Sequence, residues 1–325
     1  MIIRPYNPRG SISLLSHLRG VWRGVAFVVW TLSVGGAWLC LRPFVRGARR
    51  ARGGALTLSL WSRGLCGLLG IRVAAEEASW NRHEGSAGKS ALSAASHTPY
   101  LIVSNHIGYL DVIVLSALAG RRAGARASSG IPCAPALFVS KDDLAGWPVM
   151  GPLGRSVGTL FLDRTRPRAV AEVAAGMRAA FAQGLSVIVF PEGTTTAGDV
   201  VQPFHTALFE PALRAAIPVR GALLTYDSPD LAAWTGDASF VPHLYRLFCS
   251  RGLDVRVALQ PEVVREGDRR AVAETIRVWM QKKLVECGST QRAPVSSPKR
   301  SHFRRAAARF SLPRSGDRLF RQESP

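Results

Sequence analysis

The sequence predicts an α/β fold: a mostly parallel central sheet flanked by helices, with an N-terminal membrane-anchoring helical region. Three observations carry that expectation. Short apolar runs alternate with stretches of helical period from Tyr100 to Glu286. The run Leu185 to Phe190 is almost continuously apolar, as a strand buried on both faces is. Gly24 to Leu41 holds eighteen residues without a charge, at the short end of what crosses a bilayer.

The elements follow in order. Met1 to Arg23 is polar and basic through Arg4, Arg9, Arg19 and Arg23. In the apolar segment that follows, Trp30 lies near the middle and Trp38 near one end, so an aromatic belt is only partly satisfied. No small-x-small cleavage site comes before the arginines that start at Arg42, so the segment reads as a retained anchor. Four arginines precede it and five follow, which barely discriminates an orientation. Ala55 to Val73 fits two readings: the second arm of a hairpin or an interfacial helix, and the first amphipathic helix of a soluble domain.

Glu76 to Thr98 is polar and loop-like. Tyr100 to Ser104 is a short buried strand, and Asp111 to Ala119 a helix. Gly120 to Pro132 is a basic, small-residue-rich loop. Ala136 to Ser140 is a strand with Lys141 at its end. Leu144 to Leu153 is apolar and turn-rich, suited to face the bilayer. Ser156 to Leu162 is expected as a strand ended by Asp163 and Arg164. Arg168 to Gln183 places Val170, Val173, Ala174, Met177 and Phe181 at helical spacing, with Gly184 as C-cap. Thr206 to Ala215 is a short helix, Ile217 to Thr225 a strand, Asp227 to Asp237 a loop and Val255 to Leu259 a strand. Arg269 to Glu286 closes the domain as an amphipathic helix. Gln291 to Pro325 carries nine Lys and Arg against two acidic residues, with four prolines, and reads as a disordered basic tail. Its interspersed phenylalanines and leucines suit adhesion to anionic lipid, and a plain solubilising tail fits as well. The expected divisions are residues 1–73, a membrane-associated helical region; 74–288, the α/β domain; and 289–325, the tail.

Composition narrows the partners. The 325 residues are 47% apolar, enough to bury a sizeable core. Lys and Arg number 42 against 22 Asp and Glu, a formal charge of +20. Such a field attracts nucleic acid, anionic headgroups or phosphorylated substrates. No zinc-ligand spacing, aromatic-interleaved basic strand or basic recognition helix can be isolated, so no specific nucleic acid is expected. A non-catalytic basic protein on a membrane surface or on nucleic acid stays open as an alternative of another class. Five scattered cysteines form neither a disulfide framework nor a metal site and point to a reducing compartment.

The chemistry concentrates in SNHIGYLDVIVL, Ser104 to Leu115. His106 follows a buried strand and Asp111 lies five positions on, able to fold back onto one ring nitrogen. The other nitrogen is then free to take a proton from a hydroxyl, and an unperturbed pKa of about 6.5 suits that role. The same spacing also fits a surface histidine beside a capping aspartate.

Downstream stretches separate the two readings. Asn105-His106 with Asp111, then Gly158 to Arg164 (GTLFLDR), then Phe190 to Thr194 (FPEGT), then Ile217-Pro218-Val219 resemble the four ordered blocks of the glycerolipid acyltransferase family. The likeness covers roughly Leu68 to Val285 and is greatest to the 1-acylglycerol-3-phosphate acyltransferases, with a lyso-ornithine lipid acyltransferase-like variant as alternative. It implies transfer of a fatty acyl group from acyl-CoA or acyl-ACP to the 2-hydroxyl of lysophosphatidic acid. In that reaction His106 is the general base and Asp111 its orienter, with no acyl-enzyme, no cofactor and no metal. Arg164, Glu192, Gly193 and Thr194 are implied at the phosphate, with Glu192 positioning Arg164 or the acceptor. Lys141 matches a lysine near the acceptor site. Asn105, Asp163, Pro191 and Pro218 are supporting residues. By itself, an arginine at a strand end can grip phosphate bidentately, and Thr194 to Thr196 can add hydroxyl donors. One departure matters: many family members carry an arginine after the Gly-Thr pair, where this chain reads Thr194-Thr195-Thr196. The expected partners are a lyso-lipid acceptor, the acyl donor and an anionic membrane surface. The expected location is a bacterial inner membrane, with the catalytic domain on its cytoplasmic face.

Overall fold

The computed structural model describes residues 13–76, 98–119, 134–147, 149–163, 165–236 and 238–287. The expected loops around 77–97 and 120–133, the basic tail and Arg164 lie outside them. Within these residues one sheet holds β1 (Ile71–Glu76), β2 (Leu101–Ser104), β3 (Ala136–Lys141), β4 (Leu160–Leu162), β5 (Ser186–Val189), β6 (Val219–Tyr226) and β7 (Leu253–Leu259). Their spatial order is β1-β7-β6-β2-β5-β3-β4. All neighbours run parallel except β6 and β7. This is the mostly parallel α/β sheet that the alternating pattern predicts.

Alternation along each strand explains the two cores. Leu101 and Val103 of β2 join one cluster with Leu137, Val139, Val187 and Val189, whereas Ile102 joins the other with Phe138 and Ile188. The first face is covered by α5 (Ala169–Ala182) and α9 (Arg269–Glu286), through Met177, Phe181, Ile276 and Met280. The second is covered by α2 (Gly47–Leu69) and α3 (Tyr109–Leu118), through Leu65, Leu69, Leu110 and Val114. Short strands with both faces buried have no polar side to expose, and so read as unbroken apolar runs.

The remaining helices are α1 (Leu14–Leu41), α4 (Met150–Val157), α6 (Glu210–Arg214), α7 (Pro229–Ala232) and α8 (Phe240–Cys249). Helix α1 begins ten residues before the charge-free segment and packs back against α2 as a hairpin. Trp30 Nε1 donates to the Trp61 carbonyl at 3.0 Å, and Trp61 Nε1 to Thr31 Oγ1 at 3.0 Å. The inner side of α1 also docks at both ends. Arg23 donates to the carbonyls of Phe248, in the last turn of α8, and Ser250, just past it, and Trp38 Nε1 to the Ser156 carbonyl of α4 at 2.9 Å. Helix α2 combines features of both readings for Ala55 to Val73: it is the second arm of the hairpin with α1, and its Leu65 and Leu69 are buried in the core cluster against the sheet.

Several elements differ from the expectation. Ser156 and Val157 end helix α4, whose C-cap Gly158 is left-handed at φ +93°, so the strand shrinks to Leu160–Leu162. Within the expected loop after β6, Pro229–Ala232 is helical, and beyond it Phe240–Cys249 forms an unexpected helix. Strand β1 crosses the expected 73/74 division and pairs with β7 along six residues. Helices α1 and α2 belong to the same compact unit as the sheet.

Candidate active site

Strands β2, β5, β3 and β4 are parallel neighbours, so their C-terminal ends gather at one edge. Ligands of open α/β sheets bind outside that edge. The chain leaves β2 through Asn105, whose buried amide holds both backbone groups of Leu224 on β6. Its Nδ2 donates to the Leu224 carbonyl at 3.0 Å, and its Oδ1 accepts the Leu224 N–H at 2.8 Å. The turn leading to His106 is thereby pinned to the sheet.

His106 is held on three sides. Its N–H donates to Glu192 Oε1 at 3.0 Å, its carbonyl accepts the Thr196 N–H at 2.9 Å, and its ring stacks on Phe190 with centroids 4.2 Å apart. The ring Nδ1 lies 2.9 Å from Asp111 Oδ2. Asp111 sits in the first turn of α3, where a carboxylate is favoured by the helix dipole. The same Oδ2 accepts the N–H groups of Ile107 at 2.6 Å and Gly108 at 2.9 Å, while Oδ1 accepts the Tyr226 hydroxyl at 2.8 Å. The aspartate is completely buried, whereas the histidine side chain is 21% exposed. A carboxylate can only accept, so it fixes the tautomer with the proton on Nδ1 and leaves Nε2 as a proton acceptor.

Glu192 is expected to position Arg164, which lies outside the described residues, or the acceptor; among the described residues its partners are backbone groups. Both of its oxygens are engaged on backbone, Oε1 with His106 and Oε2 with the Gln202 N–H at 3.3 Å. Burial pushes its carboxyl up to about 7; the two backbone donors pull the other way, and the Asp111 charge adds to the rise. Gly193 follows in a left-handed conformation, φ +72°, and its N–H donates to the Phe190 carbonyl, closing a tight turn. The threonines differ from expectation. The Thr195 hydroxyl donates to the Trp234 carbonyl at 2.6 Å and that of Thr196 to the His106 carbonyl at 3.3 Å, leaving exposed Thr194 as the hydroxyl facing outward.

The supporting residues divide. Pro191 is buried, and its carbonyl accepts the His205 N–H at 2.8 Å. Lys141 is exposed at the end of β3, in register with Leu162 of β4. Asp163, next along, caps its own turn by accepting the N–H and hydroxyl of Thr165, which hold its carboxyl below the usual range. Pro218 is elsewhere. It precedes β6 at the opposite edge of the sheet, its carbonyl accepting the Leu101 N–H, and six residues of strand, about 20 Å, separate it from the level of Leu224. Sequence reasoning did not single out Phe190, Tyr226, Gly108 or Trp234 for the site. Phe190 had a signal, lying inside the third block, while Tyr226 and Trp234 reach the site only through folding.

Comparison with known proteins gives this geometry a family. Residues 87–224 match the Acyltransferase family model. The chain carries an acyltransferase-family domain. The chain is 28% identical over 246 residues to the lyso-ornithine lipid O-acyltransferase of Rhizobium meliloti (strain 1021), covering 70% of this chain and 74% of the relative. It is 29% identical over 126 residues to the 1-acyl-sn-glycerol-3-phosphate acyltransferase of Neisseria gonorrhoeae, covering 39% and 44% respectively. Its fold matches the crystal structure of the 1-acyl-sn-glycerophosphate (LPA) acyltransferase PlsC from Thermotoga maritima, with a TM-score of 0.57 at 17% identity over 86% of this chain and 98% of that one. These relatives, named for lipid acylation, support a part in lipid biosynthesis, and the chain's long apolar N-terminal helix is consistent with membrane association.

Proposed function

We propose that this acyltransferase moves a fatty acyl group from a thioester, acyl-CoA or acyl-ACP, to the free hydroxyl of a lyso-lipid. The observation that carries the reading is the fixed His106–Asp111 pair with one ring edge open at the C-terminal edge of the sheet. Nε2 takes the hydroxyl proton as the oxygen attacks the thioester carbonyl, and the buried Asp111 carboxylate stabilises the imidazolium that forms. The tetrahedral intermediate expels the thiolate, which recovers a proton from the imidazolium. Glu192 and Asn105 act as positioning residues, one on the His106 main chain and the other on the turn before it.

For the acceptor we favour lyso-ornithine lipid, reversing the order expected from the sequence. The lyso-ornithine relative spans 70% of the chain against 39% for the lysophosphatidate relative. The third block and the two residues after it also supply no cation, and Thr195 and Thr196 are engaged on backbone carbonyls. Lysophosphatidate is the second reading, favoured by exposed Lys141 at the end of β3 and by the sequence match of Arg164 to the second block. Purified full-length protein in detergent, offered each acceptor with acyl-CoA and acyl-ACP, tests both. Acylated lyso-ornithine lipid is expected. Product from lysophosphatidate alone reverses the choice, and no thioester consumption with either acceptor overturns acyl transfer. His106→Ala is expected to lower turnover by at least about two orders of magnitude; near-normal turnover in a folded variant removes His106 from its role.

The membrane association has a shape. Helix α1 is about 42 Å long at the standard rise, and its inner side docks on the domain from Arg23 near α8 to Trp38 at α4. Leu18, Val21, Trp22, Val25, Val28, Val29 and Leu32 form an exposed apolar stripe on its outer side. Such a helix, bound to its domain at both ends, suits a place along the bilayer surface with the stripe in lipid. On this reading the domain lies on the cytoplasmic face of a bacterial inner membrane, where acyl-CoA and acyl-ACP are available as donors.

A further inference from the structure

The His106–Asp111 pair has a third member. Asp111 is completely buried, where a lone charge is costly unless donors surround it. Three donors converge on Oδ2: His106 Nδ1–H and the N–H groups of Ile107 and Gly108. Among the described residues, Oδ1 accepts the Tyr226 hydroxyl alone, at 2.8 Å, from the last residue of β6, 115 positions along the chain. That strand is fixed on both sides. Asn105 ties Leu224 to the turn before His106, and on the other flank Tyr226 stands in register with Val255 of β7. The hydroxyl is therefore aimed by the sheet itself, and its ring is buried beside Cys66 of α2.

We infer that Tyr226 is a positioning residue for the acyl transfer: its hydroxyl holds the second oxygen of Asp111, and so sets both the direction in which the carboxylate faces His106 and the negative potential at the imidazole. This rests on the proposed role of the His106–Asp111 pair. The physical consequence is a charge balance. Each donor to a carboxylate draws density from it and weakens its field at the neighbouring ring. Burial and the Asp111 charge both push the Tyr226 phenol well above its ordinary range, so it stays a donor at every working pH. Among the described residues, the other titratable groups bearing on these side chains are Glu192, whose carboxylate binds the His106 N–H, and the buried Cys66 thiol, which bears on Tyr226.

The test is the pH profile of kcat/KM for Tyr226→Phe in the full-length protein, with the acceptor that the wild type uses. Without the hydroxyl, Asp111 presents a stronger negative field, the imidazolium is favoured, and the acid limb moves to higher pH. We expect a shift of at least about half a unit, with kcat about tenfold lower and KM unchanged. An unchanged acid limb and kcat in a folded Tyr226→Phe, with His106→Ala still inactive, overturns the inference and leaves the acyl-transfer reading intact. Loss of the His106 requirement would instead be a failure of that reading. If Tyr226→Phe does not fold, fluorinated tyrosine at the same position keeps the shape and strengthens the donor. The acid limb must then move to lower pH, and an unmoved limb rejects the inference.

Discussion

At the scale of single residues, the site is built from hydrogen bonds that restrain His106 through its main chain and its Nδ1 and, among the described residues, leave its Nε2 open. Glu192 shows how this is done and at what cost. Its carboxyl is pushed up to about 7, chiefly by burial, so the folded state binds that proton more tightly than the unfolded chain does. A raised carboxyl contributes stability below its unfolded value, about 4.3, and that contribution is lost as pH rises to about 7. Glu192→Gln has no such titration. The stability margin of the wild type over Glu192→Gln is therefore expected to shrink between about pH 4.5 and pH 7 and to level off above. Thermal melts of the two proteins across that range check it, and a constant margin removes the buried titration. The residue was visible in the sequence as part of FPEGT, but its target was not. The sequence suggested a neighbouring arginine or the acceptor lipid, whereas its oxygens hold main-chain N–H groups on two other loops.

At the scale of elements, the decisive junction is the turn from β2 into α3. Gly108 is extended there, so any residue could adopt its backbone conformation. What requires glycine is space, since a Cβ would lie 2.7 Å from the Ala232 carbonyl oxygen and 3.3 Å from the Trp234 nitrogen, both backbone atoms. Gly108→Ala must push the α7 loop away or tilt the start of α3, and is expected to cost about 1–3 kcal/mol. Activity should fall with it, because the Gly108 N–H is one of the donors to Asp111. Denaturant melts and turnover together test this, and a variant of unchanged stability and rate shows that the loop yields freely. Helices α4 and α8 explain where element prediction failed. The GPLGRSV stretch of α4 mixes glycine and proline with a β-branched end, which reads as a turn before a strand. Helix α8 has Pro242 in its first turn, where proline is tolerated, but its apolar face becomes clear only once α1 is packed against it.

At the scale of the molecule, α1 joins the domain to its surroundings. Its inner residues Gly20, Arg23, Thr31, Val34, Gly35 and Trp38 are buried and its outer apolar stripe is exposed, one face packed on the protein and one turned away from it. Replacing Val25, Val29 and Leu32 together by glutamate touches only the outer stripe. Each buried apolar side chain contributes about 1.5–3 kcal/mol, so binding to phospholipid vesicles is expected to fall at least about a hundredfold, with the melting transition little changed. Vesicle co-sedimentation decides it. Undiminished binding shows that the stripe is not the membrane face.

The sequence by itself determined the sheet class, most strand positions, the apolar N-terminal helix and the His106–Asp111 pair. These rest on local periodicity and on two residues five positions apart. The tertiary structure decided everything that depends on contacts between distant segments: that α2 covers the sheet, that Glu192 and the threonines serve the backbone, that Pro218 stands at the far edge, and that Tyr226 completes the carboxylate's shell. A parallel sheet brings such residues together because its strands end at a common edge, however far apart they lie along the chain.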